Sequence, residues 1–349
     1  MNETVRILNS TIEVEEAKKA KINKFWRDPN FKIEIDGEAL TLKENATRAV
    51  IQAKEIFEKT KEVANEEVPE GKFILYVNAT YKGLMGSGDI KYVDKDRLMY
   101  VNEEDTGYKE LEDGENFLDA NMRYCLGFEK GDSRFKVFHG FDPDEVAPDL
   151  TDCVGVVFSG SEANVLEESI PARIEMTDKI RNLIKKSKVE NIPKLGLCFG
   201  GQLLSNEEGL EIGWVKDKKG EERVAGMQTI KLTNLGKSDQ LSKDFPEDIQ
   251  IAQNHGQEIR FTNDSKGTVL ATFLPTGAAE IINFENSNTI VFQGHIEVGK
   301  NKLSMGTSIT EEDKYPENIA RIYQENPVKM REAVFPIFLK SVGEYIKKQ

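Results

Sequence analysis

The sequence predicts an α/β fold: a mainly parallel open sheet flanked by helices, with an antiparallel extension and helical N- and C-terminal additions. Short apolar, β-favouring runs at Phe73–Val77, Phe135–His139, Asp152–Phe158 and Ile192–Leu197 alternate with helical patterns over 116–126 and 169–187. That alternation is the order expected of a sheet covered by helices on both faces. Past Gln202-Leu203-Leu204 the texture changes to strand patterns that follow one another, at 211–215, 227–232, 249–259, 269–273, 279–285 and 290–293. These read as an antiparallel continuation.

The chain of 349 residues is long enough for two average domains or one large α/β domain with additions. With 38% hydrophobic and 31% charged residues it buries a sizeable core. The net charge of −14 and the lack of a basic stripe with interleaved aromatics argue against a nucleic-acid partner. Cys125, Cys153 and Cys198 have no paired spacing, so neither a disulfide framework nor a Cys-based metal site is expected. The start, Met1-Asn2-Glu3-Thr4-Val5-Arg6, lacks a signal-peptide pattern, and no apolar run approaches membrane-spanning length. A reduced, cytoplasmic protein is expected. The scattered histidines and carboxylates show no metal-ligand spacing, and Gly83-Leu84-Met85-Gly86-Ser87-Gly88 lacks the Lys-Ser/Thr ending of a phosphate loop. No metal or cofactor is expected.

Residues 1–70 read as a helical N-terminal extension. Thr11–Ile22 is charge-rich and helix-favouring, and Phe31–Gly37 alternates and ends in an Asp-Gly turn. Asn45 or Thr47 then caps a helix whose apolar face is Val50, Ile51, Ala53, Ile56 and Phe57. Residues 71–310 form the main domain, with a polar insertion over 80–115. In the helix over 169–187, Ile170, Ile174, Ile180, Leu183 and Ile184 fall on or near one side. Residues 311–349 return to helix, with Ile319, Ile322, Val334, Phe338, Val342 and Ile346 as inward positions. The N-terminal extension is expected to pack on the main domain or to make a partner or dimer surface, so a homo-oligomer stays open.

The chemistry centres on Lys194-Leu195-Gly196-Leu197-Cys198-Phe199-Gly200-Gly201-Gln202. A cysteine at a sharp strand-to-helix turn is the thiol version of a nucleophile elbow. The helix N-terminus that follows favours a thiolate. The segment alone also describes a structural cysteine in a Gly-rich turn. A nucleophilic thiol needs a base, and the base needs an orienting acceptor. His295 ends an apolar strand and Glu297 lies two residues on, on the same side of an extended segment. Glu297 can then hold one imidazole nitrogen while the other faces Cys198; on spacing alone, a solvated His–Glu pair is the alternative. Both Ser159-Gly160 and Cys198 fall at the carboxyl ends of predicted parallel strands, where ligands sit in such sheets. The remaining residues take plainer readings. His255 orders a loop or a substrate segment, and His139 is a surface or packing residue. Cys125 and Cys153 are buried inert thiols, and Trp26 and Trp214 are packing anchors.

In combination these pieces resemble the class I, triad-type, glutamine amidotransferases over roughly residues 71–300. Gly196-Leu197-Cys198-Phe199-Gly200-Gly201-Gln202 matches the family's Gly-x-Cys-x-Gly-x-Gln, and His295-Ile296-Glu297 its His-x-Glu. Ser159-Gly160-Ser161-Glu162 matches the early glycine loop in part. Gln253-Asn254-His255-Gly256 and Phe292-Gln293-Gly294-His295 look like loops of the small chain of carbamoyl-phosphate synthetase. The resemblance implies a flavodoxin-like amidotransferase fold, with Cys198, His295 and Glu297 catalytic. It places the oxyanion donors at the backbone N–H groups of Gly160 and Phe199, and substrate contacts at Gln202, His255 and Gly256. It implies hydrolysis of the glutamine side-chain amide to glutamate and ammonia, with ammonia passed to a separate synthetase or ligase. Ile296 and Ser161-Glu162-Ala163 depart from the usual pattern. Those departures and the insertion keep a free-standing γ-glutamyl hydrolase in play. A third reading is a degenerate domain serving as a regulatory or scaffold protein, with residues 1–70 and 311–349 as its surfaces; the intact Cys198, His295 and Glu297 count against it.

Overall fold

A computed structural model describes residues 33–35, 38–40, 42–80, 116–142, 145–161, 163–166, 171–217, 223–262, 265–297 and 327–349. The expected helix at Thr11–Ile22, the 80–115 insertion beyond Thr80, Glu162, Ile170, Ile319 and Ile322 lie outside them. The predicted class holds: among the described residues one large mixed sheet carries helices on both faces.

Five strands form its parallel half: β3 (Phe73–Asn78), β4 (Phe135–His139), β5 (Cys153–Phe158), β6 (Lys194–Leu197) and β13 (Thr289–Phe292). Their order is β4-β3-β5-β6-β13. Every residue of β3, β5, β6 and β13 is buried, which explains their unbroken apolar runs. From β13 the sheet continues antiparallel through β12 (Ala278–Phe284), β11 (Thr268–Phe273), β8 (Val224–Leu232) and β9 (Asp248–His255). A branch off β12 runs through β10 (Gln257–Arg260) to β7 (Glu211–Trp214). The stretch read as 249–259 is therefore two strands, broken at Gly256.

One face carries α3 (Pro171–Val189) and α4 (Phe199–Glu207); the other carries α1 (Leu42–Glu67), α2 (Phe117–Cys125) and α5 (Pro327–Lys348). In α3 the buried stripe is Met176, Ile180, Leu183, Ile184 and Ser187. Ile174 is exposed instead of inward, because a residue two positions before Met176 lies about 200° around the helix. The N-cap expectation for α1 is also corrected. The helix starts at Leu42, so Asn45 and Thr47 sit inside it, and its buried stripe is Ile56, Phe57, Thr60 and Ala64. This helix passes tightly over the turn at Gly127, whose φ is +78° and where a Cβ would stand 2.6 Å from the Thr60 carbonyl oxygen. Helix α2 starts as its sequence suggests, with the Asn116 side chain accepting from Leu118 N–H at 2.9 Å. Before α1, β1 (Ile33–Ile35) pairs antiparallel with β2 (Glu38–Leu40), a return strand whose short mixed sequence gave no period to read.

Val334, Phe335, Phe338, Leu339 and Val342 of α5 are fully buried against α1 and β5, in one core with the main sheet. Pro336 within this helix costs about 3 kcal/mol of helix stability. Burying each large side chain beside it returns roughly 1.5–3 kcal/mol.

His139, expected to be a surface or packing residue, is a hub. Its Nε2 lies 3.1 Å from Asp119 Oδ2 on α2, and its Nδ1 3.0 Å from Glu145 Oε2. Asp119 in turn accepts from the Asn78 amide at 2.8 Å. The hydrogen bond and charge of Asp119, aided by Glu145 and only partly opposed by burial, raise the His139 pKa from 6.5 to about 9. A raised folded-state value means the folded protein holds a proton that the unfolded chain has released. The stabilisation is therefore complete below pH 6.5 and lost as pH rises through about 9. In melts between pH 6 and about 9.5, His139→Gln should lower the melting temperature most at the acid end, and the wild-type advantage should shrink toward the alkaline end.

Candidate active site

Three neighbouring strands, β5, β6 and β13, run parallel and lead to one end of the sheet: Ser159-Gly160 and Cys198 follow β5 and β6 directly, and His295 comes three residues after β13. Cys198 stands between β6 and α4 with φ +50° and ψ −111°, a conformation that non-glycine residues rarely adopt. The surroundings hold it there. Its N–H donates to Phe292 O at 2.8 Å, its carbonyl accepts from Gln202 N–H at 2.8 Å, and Gly200 N–H donates to Ser159 O at 3.0 Å. The flanking glycines permit contact rather than unusual φ. A Cβ on Gly200 would lie 2.6 Å from Phe158 Cβ, and one on Gly196 2.6 Å from Leu204 Cδ1.

The His295 N–H donates to Ala252 O of β9 at 2.8 Å, and its imidazole Nδ1 lies 2.7 Å from Glu297 Oε1. The Cys198 side chain is close enough to this ring to favour its charged form. An ionised carboxylate only accepts, so Nδ1 carries the proton toward Glu297 and Nε2 is the atom left for sulfur. Cys198, His295 and Glu297 thus come together at this end of the sheet. Burial works against a charged imidazole here, but Glu297 and Cys198 outweigh it and raise the His295 pKa well above its ordinary value.

Gly160 adjoins the same point: a Cβ there would lie 2.6 Å from His295 Cε1 and 3.5 Å from Cys198 Cβ. The N–H groups of Gly160 and Phe199 have no hydrogen-bond partner among the described residues. Ser159 fixes this loop, its hydroxyl accepting from Ala79 N–H at 2.7 Å and donating to Gly160 O at 2.8 Å.

Of the residues read as substrate contacts, Gln202 lies on α4, and His255 and Gly256 lie where β9 gives way to β10. Gln202 donates its amide to Gln257 O at 2.9 Å and Gln293 Oε1 at 3.3 Å, tying α4 to the strands behind it. His255 ends β9 and is buried, and that burial pushes its pKa down to about 3, so the ring is neutral at working pH. Gly256 forms the break between β9 and β10, its carbonyl accepting from Val215 N–H at 3.1 Å. Burial of Cys125 and Cys153 pushes each thiol up to about 12, as expected of inert thiols. All three cysteines are unpaired. No helix among the described residues is long and apolar enough to cross a membrane.

Sequence reasoning missed two donors. The Asn121 amide on α2 donates to Glu297 O at 3.0 Å, and Arg331 Nε on α5 donates to Ile296 O at 3.1 Å. Neither belongs to a motif, and both are far from the site along the chain.

Residues 135–308 match the family model of class-I glutamine amidotransferases. The chain belongs to that family. Among curated relatives, GMP synthase [glutamine-hydrolyzing] of Cytophaga hutchinsonii is 29% identical over 143 residues, 41% of this chain and 25% of that protein. Gamma-glutamyl peptidase 4 of Arabidopsis thaliana is 27% identical over 170 residues, 48% of this chain and 62% of that one. One subunit of the GMP synthase [glutamine-hydrolyzing] of Picrophilus torridus is 25% identical over 168 residues, 48% of this chain and 79% of that one. The match therefore spans a quarter of the first relative and less than two thirds of the second.

Gly160→Ala should press a methyl group against the His295 ring. The rate of Cys198 alkylation by a glutamine-mimicking electrophile should fall roughly tenfold or more, with circular dichroism and melting temperature little changed. Mass spectrometry of the labelled protein over time reads the rate.

Proposed function

We propose that the chain hydrolyses the side-chain amide of glutamine through a thioester at Cys198. The observation that carries this reading is the short Glu297–His295 hydrogen bond on an imidazole that also meets the Cys198 side chain. His295 takes the thiol proton as sulfur attacks the amide carbon. The resulting oxyanion lies at the Gly160 and Phe199 N–H groups, donors placed where charge develops. His295 then gives the proton to the departing nitrogen, the C–N bond breaks, and ammonia leaves a thioester. Water, deprotonated by His295, cleaves the thioester to glutamate and restores the thiol. Throughout, Glu297 stabilises the imidazolium and holds its orientation.

In this reading ammonia passes to a separate synthetase partner in a reduced, cytoplasmic compartment. The similarity to one subunit of a GMP synthase supports such a partner, and the unpaired cysteines support the compartment. A second reading keeps the same chemistry on γ-glutamyl amides or peptides; the similarity to a gamma-glutamyl peptidase favours it. Comparing turnover of glutamine and of γ-glutamyl amides, with and without cell extract, separates the two.

Cys198→Ala should abolish hydrolysis of whichever substrate the wild type turns over. Glu297→Gln, which keeps the shape but loses the negative charge, should lower kcat by roughly 10²-fold or more. Ammonia release measured for both variants checks this, and wild-type turnover in Cys198→Ala would sink the assignment.

A further inference from the structure

We propose that Asn121 and Arg331 are positioning residues that fix the backbone on which Glu297 turns toward His295. The inference rests on the hydrolase reading above. Strand β13 ends at Phe292, so the segment 293–297 has no continuous ladder to hold it. Separate elements hold it instead. Gln293 N–H donates to Glu280 O of β12 at 2.8 Å, and His295 N–H to Ala252 O of β9 at 2.8 Å. The next two carbonyls, of Ile296 and Glu297, are taken by Arg331 of α5 and Asn121 of α2.

Both donors act on the peptide groups that set the direction of the Glu297 side chain. A rotation there would carry the carboxylate away from a 2.7 Å hydrogen bond. Both are also costly to bury, with Arg331 at 2% and Asn121 at 5% exposure. An apolar side chain would serve simple helix packing better. A guanidinium donating to a carbonyl gives a charge-assisted bond, stronger than a neutral one. Helices α2 and α5 both lie outside residues 135–308, so parts of the chain beyond the family match complete the geometry of the site.

The test uses the full chain with Asn121→Leu and Arg331→Met, which keep approximate volume and remove the donors, and with Arg331→Lys, which keeps a charged donor. Hydrolysis of L-glutamine and of γ-glutamyl-p-nitroanilide gives kcat and KM, and iodoacetamide alkylation of Cys198 is followed against pH. The donor-less variants should lose roughly 10–100-fold in kcat with KM little changed. Their alkylation profile should move to higher pH, and Arg331→Lys should recover part of both. A folded Asn121→Leu with wild-type kcat and an unchanged alkylation profile would overturn the proposal. So would a fall in rate that only tracks loss of folded protein by circular dichroism. If Arg331→Met does not fold, Asn121→Leu decides alone. Absence of Cys198-dependent turnover of either probe in the wild type would count against the hydrolase reading, while the alkylation profile would still report on the positioning.

Discussion

The positive-φ backbone of Cys198 is the constraint around which the site is built. A non-glycine residue held at φ +50°, ψ −111° costs on the order of 1–3 kcal/mol. The conformation persists because its neighbours allow no relaxed alternative. The cysteine's own N–H is bound to β13, the following helix lies against β5 with only glycines at the closest approaches, and Gln202 ties that helix to the strands behind it. The strain lifts the thiol off the strand line at the sheet edge where β5 and β13 also end. One local departure from ordinary geometry thus sets where the Gly160 loop and the histidine must come.

Electrostatics completes what the backbone begins. Burial alone would keep His295 neutral; Glu297 on one side and Cys198 on the other reverse that preference. His255 makes the contrast. It is also buried, but no carboxylate among the described residues offsets that burial, and its pKa falls to about 3. His139 sits between two carboxylates and rises to about 9. Of the three histidines, two are held charged by carboxylates and one is held neutral by burial.

The terminal helices share the core of the sheet domain. Helices α1 and α5 pack against each other, and Lys59 meets Glu332 at 2.7 Å across them. Helix α5 brings Arg331, and α2, beneath α1, brings Asn121. Such a site is held from both faces of the sheet: by α4 on one side, through the elbow, and by α2 and α5 on the other, through the carbonyls after His295.

Much of the fold was legible in the sequence, because buried parallel strands are written as unbroken apolar runs and helices as stripes of period 3.6. The elbow was legible for the same reason, since Gly196, Gly200 and Gly201 cluster in sequence where helix and strands touch. His295 and Glu297 could be paired because two residues of an extended segment share a side. The start of α1, the exposure of Ile174, the pairing of β2 and the ion pairs of His139 were not legible, since each depends on what another element presents. The sequence by itself determined which residue types stand at the strand ends and hence which chemistry they can perform. Only the tertiary structure decided that β5, β6 and β13 are neighbours, that His295 is charged and His255 neutral, and that Asn121 and Arg331 grip the same short segment. Local pattern is set by the chain's own neighbours; a pKa or a long-range hydrogen bond is set by groups that only folding brings within a few ångströms.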